Sequence, residues 1–161
     1  MNIFDYNKTV DLYADALFRF VLKNIKNKEK AEDIVQDSFE KMWKNIDKID
    51  AQKAKSYLFT TAYHGFIDVI RKEKRTTSYE PEHEKLQVYH SPNHDLQEIL
   101  HQAIDKLPPD QKAVVLLRDY EGYSYKEIAE ITELSEAQVK VYIFRARTFL
   151  KDYIGNISVL I

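Results

Sequence analysis

Residues 107–147, LPPDQKAVVLLRDYEGYSYKEIAEITELSEAQVKVYIFRAR, contain two helix starts in close succession. Ser124-x-x-Glu127 and Ser135-x-x-Gln138 both have the capping-box form. In it a serine oxygen takes the third backbone N–H of the helix, and the acid or amide reaches back to the serine N–H. Losing such a cap costs about 1 kcal/mol. The two serines are 11 residues apart, which defines a short helix, a tight turn and a longer second helix. Ile128, Ala129 and Ile131 face inward from the first, and Leu134 plugs the turn. Val139, Ile143, Ala146 and Leu150 line the second at helical spacing. The pattern predicts a helix-turn-helix, whose second helix enters the major groove. A helical hairpin buried in a bundle would carry the same apolar pattern. The outward face favours DNA, because Glu136, Gln138, Lys140, Tyr142, Arg145 and Arg147 supply donors and acceptors suited to base edges and phosphates.

Working outward from this stretch, Pro108-Pro109 stops one helix and opens another, Asp110 to Tyr120, with Gly122 as its C-cap. The preceding helix carries Leu96, Ile99, Leu100, Ala103, Ile104 and Leu107 on one stripe. Further back, residues 76–95 lose the periodicity and gain two prolines, a composition suited to a flexible linker. Before them the apolar stripes return. Val10, Tyr13, Leu17, Phe20 and Val21 mark one helix. Asn27 caps a second, whose stripe is Ala31, Ile34, Val35, Phe39, Met42, Trp43 and Ile46. A third runs from about Ser56 to Lys74 and buries Leu58, Ala62, Phe66, Val69 and Ile70. The expected fold is all-α: two small helical domains, 1–75 and 96–161, joined by a linker at 76–95.

Composition narrows the function classes. The chain of 161 residues has no cysteine, which excludes disulfides, thiolate zinc sites and a thiol nucleophile. Its start, Met1 to Val10, shows no secretory signal, and no apolar run approaches the roughly 20 residues of a membrane span. A cytoplasmic protein without membrane insertion is expected. The net charge is −2, low for an autonomous DNA binder. The distribution is uneven: residues 10–75 carry 14 basic and 11 acidic groups, 76–95 carry one and four, and 96–161 carry eight and ten. Such a chain binds DNA with help.

The 107–147 stretch resembles the fourth conserved region of extracytoplasmic-function (ECF) sigma factors of the sigma-70 family. The resemblance rests on Leu107-Pro108, Gly122, Ser124-Tyr125, Glu127-Ile128-Ala129 and Arg145-Ala146-Arg147. One departure is Glu133, at a turn position where the family often has glycine. AEDIVQDSFEKMW, residues 31–43, is similar to the family helix that docks on the coiled coil of the polymerase's largest subunit. Asp33, Gln36, Asp37 and Glu40 form an acidic stripe there, which could meet a basic partner by charge-assisted hydrogen bonds or could be a solvated face. On the third helix Tyr57, Thr61, His64, Asp68, Arg71 and Arg75 share one face. Rings at one end and guanidinium groups at the other suit single-stranded DNA, although Tyr57 and Tyr63 could equally be boundary aromatics of a small core.

The resemblance implies a sigma factor that directs RNA polymerase to promoters. Tyr57, Thr61, His64, Arg71 and Arg75 would hold the melted minus-ten element. His64 stands where the family commonly has Asn, and Tyr57 where it commonly has Trp. Arg118, Ser135, Glu136, Gln138, Lys140, Val141, Tyr142, Phe144 and Arg145 would meet the minus-thirty-five element. Core polymerase, promoter DNA and an anti-sigma factor are the implied partners, with no cofactor and no catalytic residues. Two rival classes stand beside this reading. An ordinary helix-turn-helix regulator would leave residues 31–75 unexplained. A metal enzyme would have to use His83, His90, His94 and His101, which cluster loosely in or beside the linker.

Overall fold

The computed structural model describes residues 1–76 and 96–160, the side chains of 157–160 excepted. The described residues form seven α-helices and short connecting turns, with no strand. The expected linker at 77–95 lies outside them, as do His83, His90 and His94.

Three helices make the first half: α1 Ile3–Ile25, α2 Lys28–Lys44 and α3 Ala54–Thr76. Asn2 and Asp5 form a capping box at the start of α1. Lys26 ends it in a left-handed conformation, φ 57°, with its N–H on the carbonyl of Leu22. Asn27 immediately accepts from the N–H of Lys30 and starts α2. A two-residue joint of this kind turns α1 back on α2. Two short turns, Ile46–Lys48 and Ala51–Lys53, lead to α3. Leu17, Phe20, Val21, Ala31, Met42, Leu58, Phe59, Ala62 and Phe66 fill the space between these helices. Phe20 lies 5.6 Å from Phe59 and 5.4 Å from Phe66, ring centre to ring centre. Each such ring contributes about 1.5–3 kcal/mol by burial. Gly65 marks the closest approach of α2 and α3, since a Cβ there would stand 3.3 Å from a methyl of Ile34.

The second half contains α4 Leu96–Asp105, α5 Pro109–Val115, α6 Tyr125–Thr132 and α7 Glu136–Leu160. Pro109 occupies the first turn of α5, where its missing N–H costs nothing. The helix predicted over Asp110–Tyr120 stays α-helical only to Val115. Over Leu116–Tyr120 it widens into a π-turn, with the N–H of Glu121 on the carbonyl of Leu116. Gly122 then takes φ 73°, which frees the chain to reverse into α6. Both halves contribute to one apolar cluster, because α3 packs along α6 and touches α5.

Two residues depart from the predicted stripes. Trp43 is 47% exposed at the edge of α2, where its ring meets Tyr6 edge-on at 5.1 Å. Leu96, the first residue of α4, is also exposed. Val69 and Ile70 are half-buried, while Phe59 and Tyr63 on the same helix are buried against the second half.

Candidate DNA-reading and docking faces

Both predicted capping boxes are formed. The N–H of Glu127 donates to Ser124 Oγ at 3.1 Å, and the N–H of Ser124 to Glu127 Oε1 at 3.1 Å. The N–H of Gln138 donates to Ser135 Oγ at 3.1 Å, and the N–H of Ser135 to Gln138 Oε1 at 3.0 Å. Ser135 and Gln138, both candidate readers, therefore use these oxygens to hold the start of α7. Behind that start Val139, Ile143, Ala146 and Leu150 are buried and fix the helix's rotation. This turns Glu136, Lys140, Val141, Phe144 and Arg145 outward, with Tyr142 half-buried beside them. Phe144 is 71% exposed, a large apolar ring kept in water on the face that would enter a groove.

A basic groove of about 490 Å³ flanks this face, lined in part by Tyr125, Lys140, Phe144, Arg147 and Lys151. Arg118 lies over the Tyr125 ring at 4.3 Å and donates to the carbonyl of Tyr123 at 2.9 Å. Its guanidinium is thus held in place by the π-turn and the start of α6. Lys140 Nζ approaches the same ring at 5.5 Å. Arg147 is forked on Asp119, at 2.6 and 3.3 Å, and that hydrogen-bonded carboxylate raises its already high pKa.

On α3 the candidate minus-ten residues share one side, but their surroundings differ. The Tyr57 hydroxyl accepts from Asn45 at 3.2 Å and donates to the carbonyl of Lys41 at 3.3 Å, which ties the ring to the end of α2. Thr61 donates back to the carbonyl of Tyr57 at 2.7 Å. His64 is half exposed, with Nε2 3.4 Å from a carboxylate oxygen of Glu133. Arg71 and Arg75 are exposed. Tyr63 is core, and burial pushes its phenol up.

Asp33, Gln36, Asp37 and Glu40 are all exposed along α2. Asp37 meets Lys41 and Glu40 meets Lys44, each at 3.1 Å one turn on. Exposed pairs of this type hold weakly and are easily exchanged for a partner's charges.

Local sequence reasoning missed the residues that join the halves. Arg19 forks onto Glu121 at 2.9 and 2.8 Å. Lys55 pairs with Glu127 and also lies over the Tyr123 ring at 4.0 Å. The hydrogen bond from Lys55, with the one from the Ser124 N–H, holds the Glu127 carboxyl below its ordinary pKa. Lys112 is buried between Asp105 and the carbonyl of Asn24, and burial lowers its pKa. The cap pattern and the Glu127-Ile128-Ala129 motif drew attention to Glu127, and nothing local marked the others. Among the described residues no cluster of His, Asp and Glu could hold a metal. No helix among them is long and apolar enough to cross a membrane.

Fold and motif define a helical helix-turn-helix protein with a second helical half before it. Residues 9–76 match the family described as Sigma-70 region 2, and residues 97–150 match Sigma-70, region 4. The ECF RNA polymerase sigma factor SigM of Bacillus subtilis is 34% identical over 145 residues, covering 87% of this chain and 89% of that protein. The RNA polymerase sigma factor SigV of the same organism is 29% identical over 135 residues, covering 83% and 81%. A solved Bartonella quintana sigma factor, RpoE in complex with the anti-sigma factor NepR, superposes with a TM-score of 0.73 at 27% identity, covering 94% and 97%. The chain belongs to the ECF class of the sigma-70 family and is an RNA polymerase sigma factor.

Proposed function

We propose that this sigma factor carries RNA polymerase to promoters with two separate DNA-reading faces and one docking face. The domain of residues 96–161 reads the minus-thirty-five element as duplex. Glu136, Gln138, Lys140, Val141, Tyr142, Phe144 and Arg145 approach base edges, while Arg118 and Ser135 approach the backbone. The domain of residues 1–75 captures the minus-ten element as it opens, with Tyr57 and His64 against unstacked bases, Thr61 beside them and Arg71 and Arg75 along the strand. Asp33, Gln36, Asp37 and Glu40 dock on the core enzyme.

The observation that carries this reading is the division of α7. One face is pinned by Val139, Ile143, Ala146 and Leu150, and the opposite face keeps Lys140, Phe144 and Arg145 in solvent. Phe144 and Val141 stand exposed beside Lys140 and Arg145, an apolar and basic face of the kind that meets thymine methyls, base edges and phosphates.

Unstacking costs a few kcal/mol per step, and stacking of about 1–3 kcal/mol per captured base offsets it. The chain supplies recognition and strand capture, the polymerase supplies the chemistry, and the site of action is the cytoplasm. An anti-sigma partner fits this reading, since the similar Bartonella quintana factor was solved with one. Run-off transcription with core polymerase on a randomised promoter library should select two elements at a constant spacing. Asp33→Arg with Asp37→Arg should abolish co-purification with core enzyme at unchanged helicity. Unchanged binding by that double variant would remove the docking face.

A further inference from the structure

Resting on the reading of Asp33, Gln36, Asp37 and Glu40 as the docking face, we propose that Trp43 is the apolar anchor of that face and that Tyr6 holds it in position. The surface it fits is the core enzyme's, basic where it meets the carboxylates and apolar where it meets the indole.

Trp43 is the one tryptophan of the chain. It lies on α2 seven residues beyond Gln36 and three beyond Glu40, so it extends the acidic stripe by one turn along the same side of the helix. The inward side of α2 is already occupied by Ala31, Ser38 and Met42, all buried. Trp43 is the large apolar side chain that α2 leaves exposed.

The exposed ring is held in place. Tyr6 on α1 meets it edge-on at 5.1 Å. The Tyr6 hydroxyl donates to the carbonyl of Phe39 at 3.1 Å, one turn before the indole on the same helix. Tyr6 is thus fastened to the turn that carries Trp43 and covers the side of the ring towards α1. The remaining surface of the ring stays in solvent, on the side of α2 that carries Gln36 and Glu40. A ring with two rotatable bonds, placed before binding, loses little entropy on association.

Charge alone holds such a face weakly. Asp37 and Glu40 are each paired one turn on, with Lys41 and Lys44, and exchanging one exposed ion pair for another gives little net affinity. Interfaces take most of their energy from a few anchors, in which tryptophan is enriched, ringed by polar contacts that exclude water. Trp43 beside the acidic stripe has that arrangement.

The test uses the full chain and core polymerase. 7-Azatryptophan incorporated at Trp43 is excited apart from the polymerase's own tryptophans, so acrylamide quenching reads the exposure of this one ring. Adding core enzyme should protect it. Trp43→Ala should weaken core binding at least about tenfold at unchanged helicity, and Trp43→Phe should recover part of the loss. The quenching arm needs no substitution, and so covers the case in which Trp43→Ala fails to fold. Tyr6→Leu should weaken core binding severalfold in the wild-type background and add nothing to Trp43→Ala, because its effect runs through the indole. Equal weakening in both backgrounds would overturn the positioning role. A ring still quenched with core bound, or wild-type affinity in Trp43→Ala, would overturn the anchor. Asp33→Arg with Asp37→Arg then separates the causes. If that variant no longer binds core enzyme, the face docks without Trp43. If it binds as wild type does, the reading of the docking face has itself failed.

Discussion

Glu133 closes α6 with φ 60°, a conformation that costs a residue with a side chain roughly 1–2 kcal/mol and glycine almost nothing. Its compensation is the exposed approach to His64, which contributes little by itself. Glu133→Gly should therefore stabilise the protein by about 1 kcal/mol, raising the melting temperature by about 2–4 °C. Thermal melting by circular dichroism checks this. A lowered melting point would mean that the contact across the two halves outweighs the backbone strain. Lys26 presents the contrasting case. It also has positive φ, but its N–H closes α1 on Leu22 and its ammonium reaches Asp105 at 2.8 Å, so the strained residue also bridges the halves.

At the scale of elements, α7 works because its buried face fixes its exposed one. Val139 and Ile143 leave no freedom of rotation, so Lys140 and Arg145 stand at set positions relative to the capping serine. Arg145→Ala should weaken binding to the selected minus-thirty-five duplex by about 1–3 kcal/mol and relax sequence preference at one position. Arg118→Ala should lower affinity for all duplexes alike and flatten the salt dependence. Since Arg118 also fastens the Tyr123 carbonyl and the Tyr125 ring, its loss should lower the melting temperature too. Gel-shift titrations across a salt series, on matched and scrambled duplexes, separate the two. Equal losses on both duplexes for Arg145→Ala would remove it from base reading.

For the whole molecule, the contact between the halves combines buried rings with ion pairs, and it has a pH dependence. Glu127 has its folded pKa depressed, first by the hydrogen bond from Lys55 and then by the Ser124 N–H. Its stabilisation is complete above the ordinary carboxylate value of 4.5 and is lost as pH falls through the lower folded value. Glu127→Gln keeps a capping side chain but not the charge. Its melting temperature should fall below wild type at pH 6, and the gap should close as pH falls below 4.5 and through the lower folded value. A gap that stays constant with pH would show that the Lys55 pair contributes nothing to closure.

Helix boundaries and inward faces are local properties, and for this protein the sequence alone determined them. Ser124 with Glu127 and Ser135 with Gln138 fix two helix starts through bonds spanning three residues. The 3.6-residue period then assigns Ile128 and Ile131 on α6, and Val139, Ile143 and Leu150 on α7, to the core, each set within its own helix's hydrophobic stripe. The exposed faces of α2 and α7 follow as the complements of those stripes. Trp43 escaped this logic because it sits on the stripe's edge, where the presence of Tyr6 rather than periodicity sets exposure. The π-turn at Leu116–Tyr120 escaped it because one shifted hydrogen bond leaves the apolar pattern intact. Only the tertiary structure decided which charges meet. Arg19 and Glu121 are 102 residues apart, and Lys55 and Glu127 are 72. An ion pair has no periodicity or spacing of its own. It depends on where packing of α3 against α6 brings two surfaces that, in the sequence, both look solvated.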